Sequence, residues 1–203
     1  MSVKNRLRLL SAILLAGLVV IGVIAFNSAR TWSSDMHKVG EERVPALLSL
    51  GNINTERMAI RAQTLEVITL NPNENIKTKL SEITAQRANS WKIIDENWKV
   101  FIDIPRNTEA GKQAAQKINN AYKAWREIYI TLDGLIAKMS SNQDIDTQKN
   151  LLTEYRAVVS KMVPISNEFG KLIAEQKERT VKFSLEMMND SIQSSDNSVI
   201  ITI

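Results

Sequence analysis

The chain has 203 residues, 44% apolar and 24% charged, which fits one folded domain with a proper core. It has no cysteine, which excludes a disulfide framework and thiolate chemistry, and seven Gly and four Pro leave little material for turns, favouring helix. The formal charge of +4 loses its meaning for a polyanion partner once Lys4, Arg6 and Arg8 are set aside, because 23 basic then face 22 acidic residues; nucleic acid is not an expected partner.

Residues 9–26 (LLSAILLAGLVVIGVIAF) carry no charge over 18 positions, a helix of roughly 27 Å, close to the thickness of a bilayer's hydrocarbon core. The three positives in residues 1–8 place that end in the cytoplasm and everything beyond Phe26 outside it. A cleaved signal peptide fits less well, since its apolar core usually runs about 7 to 15 residues and Asn27-Ser28-Ala29-Arg30 lacks a small-residue cleavage pattern. The expectation is a retained anchor in a bacterial inner membrane with residues 27–196 in the periplasm.

Between Thr31 and Asp196 the sequence breaks at Asn71–Asn75, Ile104–Asn107 and Ser140–Asp146, each rich in turn formers. Asn73 or Asn75, Asn107 and Asp146 are the expected caps, with Pro72 and Pro105 discouraging continuation of the preceding helix. Four helices result, each with a seam stepping by three and four. The first reads Val44, Leu47, Gly51, Asn54, Met58, Arg61, Leu65 and Ile68; the second Ile76, Leu80, Ile83, Arg87, Ser90, Ile94, Asn97 and Phe101. The third, the clearest, reads Ala115, Ile118, Tyr122, Trp125, Tyr129, Leu132, Ile136 and Met139, and the fourth runs from Leu152 through Tyr155, Ser166 and Thr180 to Phe183 and Met187, with a kink expected at Pro164. Short connections make neighbours antiparallel, so the predicted fold is all-α: an up-down-up-down four-helix bundle with long first and last helices. Residues 197–203 turn apolar and are expected to begin a second span.

This plan of basic start, span, extracytoplasmic bundle and incipient second span resembles the input half of bacterial methyl-accepting chemotaxis proteins, carried by Leu9–Phe26, Leu50–Arg61 and Asp196–Ile203. The resemblance implies a membrane-anchored homodimer, a small attractant bound in the membrane-distal half, and a small shift of the last helix passed to a cytoplasmic signalling module beyond residue 203. Sensor histidine kinases carry similar input bundles. It also implies that paired arginines in the first helix, here Arg57 and Arg61, hold ligand carboxylates.

The seams themselves are broken by four polar residues on four different helices, Arg61, Arg87, Tyr129 and Tyr155, about 11 to 14 residues in from the turns, or roughly 16 to 21 Å. Two guanidinium groups facing each other there are costly without an anion, and a di- or tricarboxylate satisfies each fork with paired hydrogen bonds. Arg57 and Arg126, beside the seams, are candidates for a second carboxylate or a site shared between subunits. The competing reading is that these arginines snorkel to solvent or pair with an acid and the tyrosines simply pack, leaving a membrane-anchored scaffold for another protein. No enzyme, cofactor or metal is expected: His37, the one histidine, has no partners in sequence for a metal, and phosphate loops, paired cysteines and His-containing triads are missing.

Overall fold

The computed structural model describes the backbone of residues 3–200 and side chains through residue 193. Within that range there is no strand, and five helices follow in order: α1 (Val3–Lys38), α2 (Val44–Ile68), α3 (Lys77–Asp103), α4 (Glu109–Ser141) and α5 (Ile145–Ile200). A π turn, Val39–Arg43, joins α1 to α2, with the Val44 amide donating to the Val39 carbonyl. Pro45 accounts for it: the ring has no N–H and crowds the carbonyl four residues back, and widening the turn clears it. The chain forms two compact units, one before Pro45 together with the residues after Thr180, the other Pro45–Thr180.

In the first unit no residue of α1 is buried, and Leu10, Ile13, Leu14, Leu18 and Phe26 stand exposed. An apolar helix with nothing packed on it is suited to lipid rather than water; its most apolar stretch has a mean hydropathy of 2.9. Near the unit's polar end Ser191 donates to Asp35 Oδ2 at 3.0 Å. Phe183, assigned to the fourth seam by spacing, is 49% exposed. The stripe follows Thr180, Ser184, Met187 and Ser191 instead, and the three- and four-residue steps of a helix allow either path.

The second unit is the bundle. Cross-links between helices pair rising numbers with falling ones: Asn52 with Asn97 and Glu66 with Lys79 for α2 and α3, Asp133 with Arg87 and Tyr122 with Asp95 for α4 and α3, Arg57 with Ser166 and Ile68 with Arg156 for α2 and α5. Each neighbouring pair is therefore antiparallel, as short connections dictate. The α2–α3 and α4–α5 turns share one end, and the α3–α4 turn lies at the other.

The seams of α3 and α4 lie where their spacing puts them: Leu80, Ile83, Arg87, Ser90, Ile94 and Phe101 are buried, as are Ile118, Trp125, Tyr129, Leu132, Ile136 and Met139. Phe169 of α5 completes an aromatic core, 5.1 Å from Trp125 and 5.8 Å from Tyr122 between ring centroids. The α2 seam is displaced by one position from the sequence reading. Its buried line is Ala46, Leu50, Ile53, Arg57, Ile60, Thr64 and Val67, whereas Val44, Met58 and Leu65 are 40–48% exposed. The helix carries two adjacent apolar stripes, and the one holding Leu50, Ile53, Ile60 and Val67 at zero exposure won, at about 1.5–3 kcal/mol per buried aliphatic side chain.

Two caps also differ. Asn75 accepts from the Lys77 amide as expected, but Thr108, not Asn107, accepts from Gly111, and Asp144, not Asp146, accepts from the Thr147 amide and hydroxyl. Side-chain hydroxyls and carboxylates compete for the same exposed amides, and the turn decides which reaches them. α5 is helical through Pro164, which removes one internal donor without ending the helix. The expected second span at 197–203 falls outside the described side chains, and its last three residues outside the described backbone.

Candidate functional site

The six candidate residues all lie in the bundle, but they form three groups rather than one. Arg57, next to the seam by spacing, occupies the α2 core line and is 7% exposed. Its Nη1 donates to the Ser166 carbonyl at 2.8 Å and hydroxyl at 2.9 Å on α5, while Nε and Nη2 donate to Asn54 Oδ1 at 3.2 and 3.0 Å. The guanidinium lies over Gly170: a Cβ there would come within 2.5 Å of Nη2. Arg61, one turn on, is half-buried and donates to Asn167 Oδ1 at 2.6 Å.

Every hydrogen-bond partner of this pair is neutral. Among the described residues neither arginine has a carboxylate within ion-pair distance. Burial, and then the charge of Arg61, hold the Arg57 guanidinium below its ordinary pKa, with a weaker opposing influence from Tyr129. A buried cation with only dipoles around it is incompletely compensated.

Arg87 has the opposite environment. It is 2% exposed, and its Nη1 is ion-paired with Asp133 Oδ1 on α4. Its Nη2 donates to Thr64 Oγ1 at 3.1 Å and to the Tyr155 hydroxyl at 3.5 Å, the latter a long contact. The Thr64 hydroxyl in turn donates to the Ile60 carbonyl at 2.7 Å. Burial alone would lower the Arg87 pKa; the Tyr155 hydroxyl and the Asp133 carboxylate more than offset it, so the net shift is upward. Tyr129 lies 5.6 Å below the guanidinium and edge-on to Trp91, its hydroxyl buried without a hydrogen bond of good geometry. Burial raises the pKa of both Tyr129 and Tyr155.

Arg126 belongs to a third group on the α3–α4 surface. It pairs with Asp95 Oδ2 at 3.1 Å and lies 3.8 Å over the Trp91 ring, a cation–π contact. The Tyr122 hydroxyl donates to the other Asp95 oxygen at 3.0 Å and its ring stacks on Trp98 at 3.9 Å. Burial, then Asp95, push its pKa up to about 12.

Arg87, Tyr129 and Tyr155 thus converge as the seams predict, and Arg61 does not join them: it faces α5 beside Arg57. Spacing missed Asp133 and Asn167, each next to a seam residue, and Gly170, whose missing side chain admits Arg57. Asp133 follows Leu132 by one position and Tyr129 by one turn; a search for acids within a turn of a buried arginine's level is the signal that finds it. His37 pairs with Glu41 at 2.9 Å on the helix surface, and among the described residues no three His, Asp or Glu converge to hold a metal.

A family model described as "Tar ligand binding domain homologue" matches residues 1–178. No curated protein and no solved structure matches the chain significantly.

Proposed function

Since this chain belongs to the Tar ligand binding domain homologue family, the extracytoplasmic ligand-binding domains of chemoreceptors, we propose that it senses a small di- or tricarboxylate at Arg57 and Arg61. The observation that carries this reading is the contrast in charge partners. Arg87 and Arg126 already hold Asp133 and Asp95, whereas Arg57 and Arg61 hold neutral groups of Asn54, Met58, Ser166 and Asn167. A ligand carboxylate supplies the missing anion with charge-assisted, two-point hydrogen bonds. Arg87, Tyr129 and Tyr155 then support the site from the core, and Arg126 stays in its surface ion pair.

Beside Arg61 on α2, one turn before and one turn after it, Met58 and Leu65 are 48% and 40% exposed. In this reading a second copy of the chain covers the stripe and closes the bound acid from water, giving a homodimer anchored in the inner membrane by α1 with the bundle in the periplasm. Because Arg57 grips the backbone of α5 at Ser166, an acid that draws the guanidinium away changes the hold of α2 on the helix that leads back to the membrane. That is the route by which binding becomes a signal.

Calorimetric titration of the full chain in detergent micelles with malate, succinate, citrate, aspartate and glutamate tests the reading. At least one acid binds, and Arg61→Ala weakens it by about 1.5–3 kcal/mol, the cost of one hydrogen bond to a charged group. Silence from the whole panel, or undiminished binding by the variant, overturns the proposal and leaves the apolar stripe to a protein partner.

A further inference from the structure

A cleft of about 780 Å³ opens between α3 and α4 on the other side of Arg87, and the acid site above leaves it unused. Its walls are made low by Ala85, Ala88 and Ala137, with Lys77 and Ser140 toward the turn end and Trp91 and the Arg87–Asp133 pair toward the other. The volume is within the range of pockets that take small organic molecules.

The ion pair that lines it is lopsided. Arg87 is 2% exposed and Asp133 42% exposed. Asp133 uses one oxygen on Nη1, and the buried Arg87 Nε has no hydrogen-bond partner among the described residues. A carboxylate engages a guanidinium best through two parallel N–H donors, and Asp133 makes a single-oxygen contact: the donor beside Nη1, Nη2, is turned to Thr64 and Tyr155. Lys77 adds a positive charge at the far end, without a carboxylate in ion-pair distance among the described residues.

We infer that the α3–α4 cleft is a second ligand site, for a monocarboxylate with a short apolar body, and that Asp133 is the resident carboxylate such an acid displaces from Arg87. The exchange keeps the buried guanidinium neutralised throughout. Asp133 returns to water, which already reaches it, while the acid's hydrocarbon part covers the alanines and the side of Trp91. The two cation sites then differ in kind: Arg57 and Arg61 bind an acid with no internal competitor, and Arg87 binds one only against its own aspartate, which makes the cleft a low-affinity site.

Hexanoate is the probe, with hexanol as its uncharged counterpart, titrated calorimetrically into the full chain in detergent micelles. Asp133→Ala removes the competitor, and hexanoate then binds about tenfold or more tightly than to the wild type, a change of 1.4 kcal/mol or more. Hexanol does not share the gain. The gain persists in an Arg61→Ala background, which separates it from the acid site on α2, and is lost on Arg87→Met or when Ala137→Leu fills the cleft. If Asp133→Ala does not fold, Asp133→Asn keeps the shape, removes the charge and is expected to give the same ordering. Equal affinity in wild type and Asp133 variants, binding unaffected by both Arg87→Met and Ala137→Leu, or loss of binding with Arg61→Ala overturns the inference.

Discussion

Two buried arginines on neighbouring helices, Arg57 of α2 and Arg87 of α3, are nearly equal in exposure at 7% and 2% and opposite in circumstance. Arg87 meets an aspartate, a threonine and a tyrosine; Arg57 meets an asparagine and a serine, with a second arginine nearby. Burial alone therefore does not identify a ligand-binding arginine. What separates them is whether the chain supplies the counter-charge. The counter-charge of Arg87 is built into the fold, and that of Arg57 is left for something that arrives.

The largest consequence is for stability. Arg87→Met strips Asp133, Thr64 and Tyr155 of a shared donor, and unfolding by urea should show a loss of about 3 kcal/mol, the low end for breaking a buried pair, because Asp133 is already half in water. Arg57→Met removes a charge that lacks a carboxylate, and the ligand-free protein should stay within about 1 kcal/mol of wild type or gain. Equal losses from both substitutions break the comparison.

Binding should sort the other way. Arg57→Met costs about 1.5–3 kcal/mol of acid affinity by calorimetry, whereas Arg126→Met, which disturbs its pair with Asp95 and its contact with Trp91 on the α3–α4 surface, changes it little. Gly170→Ala sharpens the point. The new methyl would lie 2.5 Å from the Arg57 guanidinium, a flexible group that moves aside, and the helix itself gains up to about 1 kcal/mol from Ala. Melting temperature is therefore expected to hold or rise while acid affinity falls. A fall in both contradicts the assigned position of Arg57.

The smallest effect is spectroscopic. All three tyrosines, Tyr122, Tyr129 and Tyr155, have pKa values raised by burial, Tyr122 to about 12. Absorbance titration of the folded chain should show no phenolate forming at the ordinary value near 10. The unfolded chain loses those protons first, so stability falls as pH rises from about 10 toward 12. Asp95→Asn lowers the Tyr122 midpoint.

Sequence spacing located most of the α3 and α4 seams because each has one dominant apolar stripe: Ile118, Trp125, Tyr129 and Leu132 are buried as spaced, although Asn97, Ala115 and Tyr122 are half-buried and Leu135 joins the core. It misplaced α2 because Leu47, Met58 and Leu65 form a stripe as regular as Leu50, Ile53, Ile60 and Val67. Only the packed bundle decides between the two. That single displacement moved Arg57 from the flank to the core and Arg61 from the core to the rim, and so took Arg61 out of the group that Arg87, Tyr129 and Tyr155 form. The partners were hidden for another reason: Asp133, Ser166 and Asn167 are ordinary polar residues until a neighbouring helix delivers a guanidinium to them. The resemblance to chemoreceptors implied the Arg57 and Arg61 pair from residue type and depth, and those are the two whose charge the bundle leaves unanswered.

The most direct test compares thermal unfolding of the full chain, in micelles, with and without the tightest-binding acid of the panel. At 100 times its dissociation constant the acid should stabilise wild type by about 2.7 kcal/mol. This stabilisation is expected to persist in Arg87→Met and to fall to between about 0.3 and 1.3 kcal/mol in Arg57→Met, the remainder left by a loss of about 1.5–3 kcal/mol in affinity. Full stabilisation of Arg57→Met, or loss confined to Arg87→Met, contradicts the assignment of the acid site to Arg57.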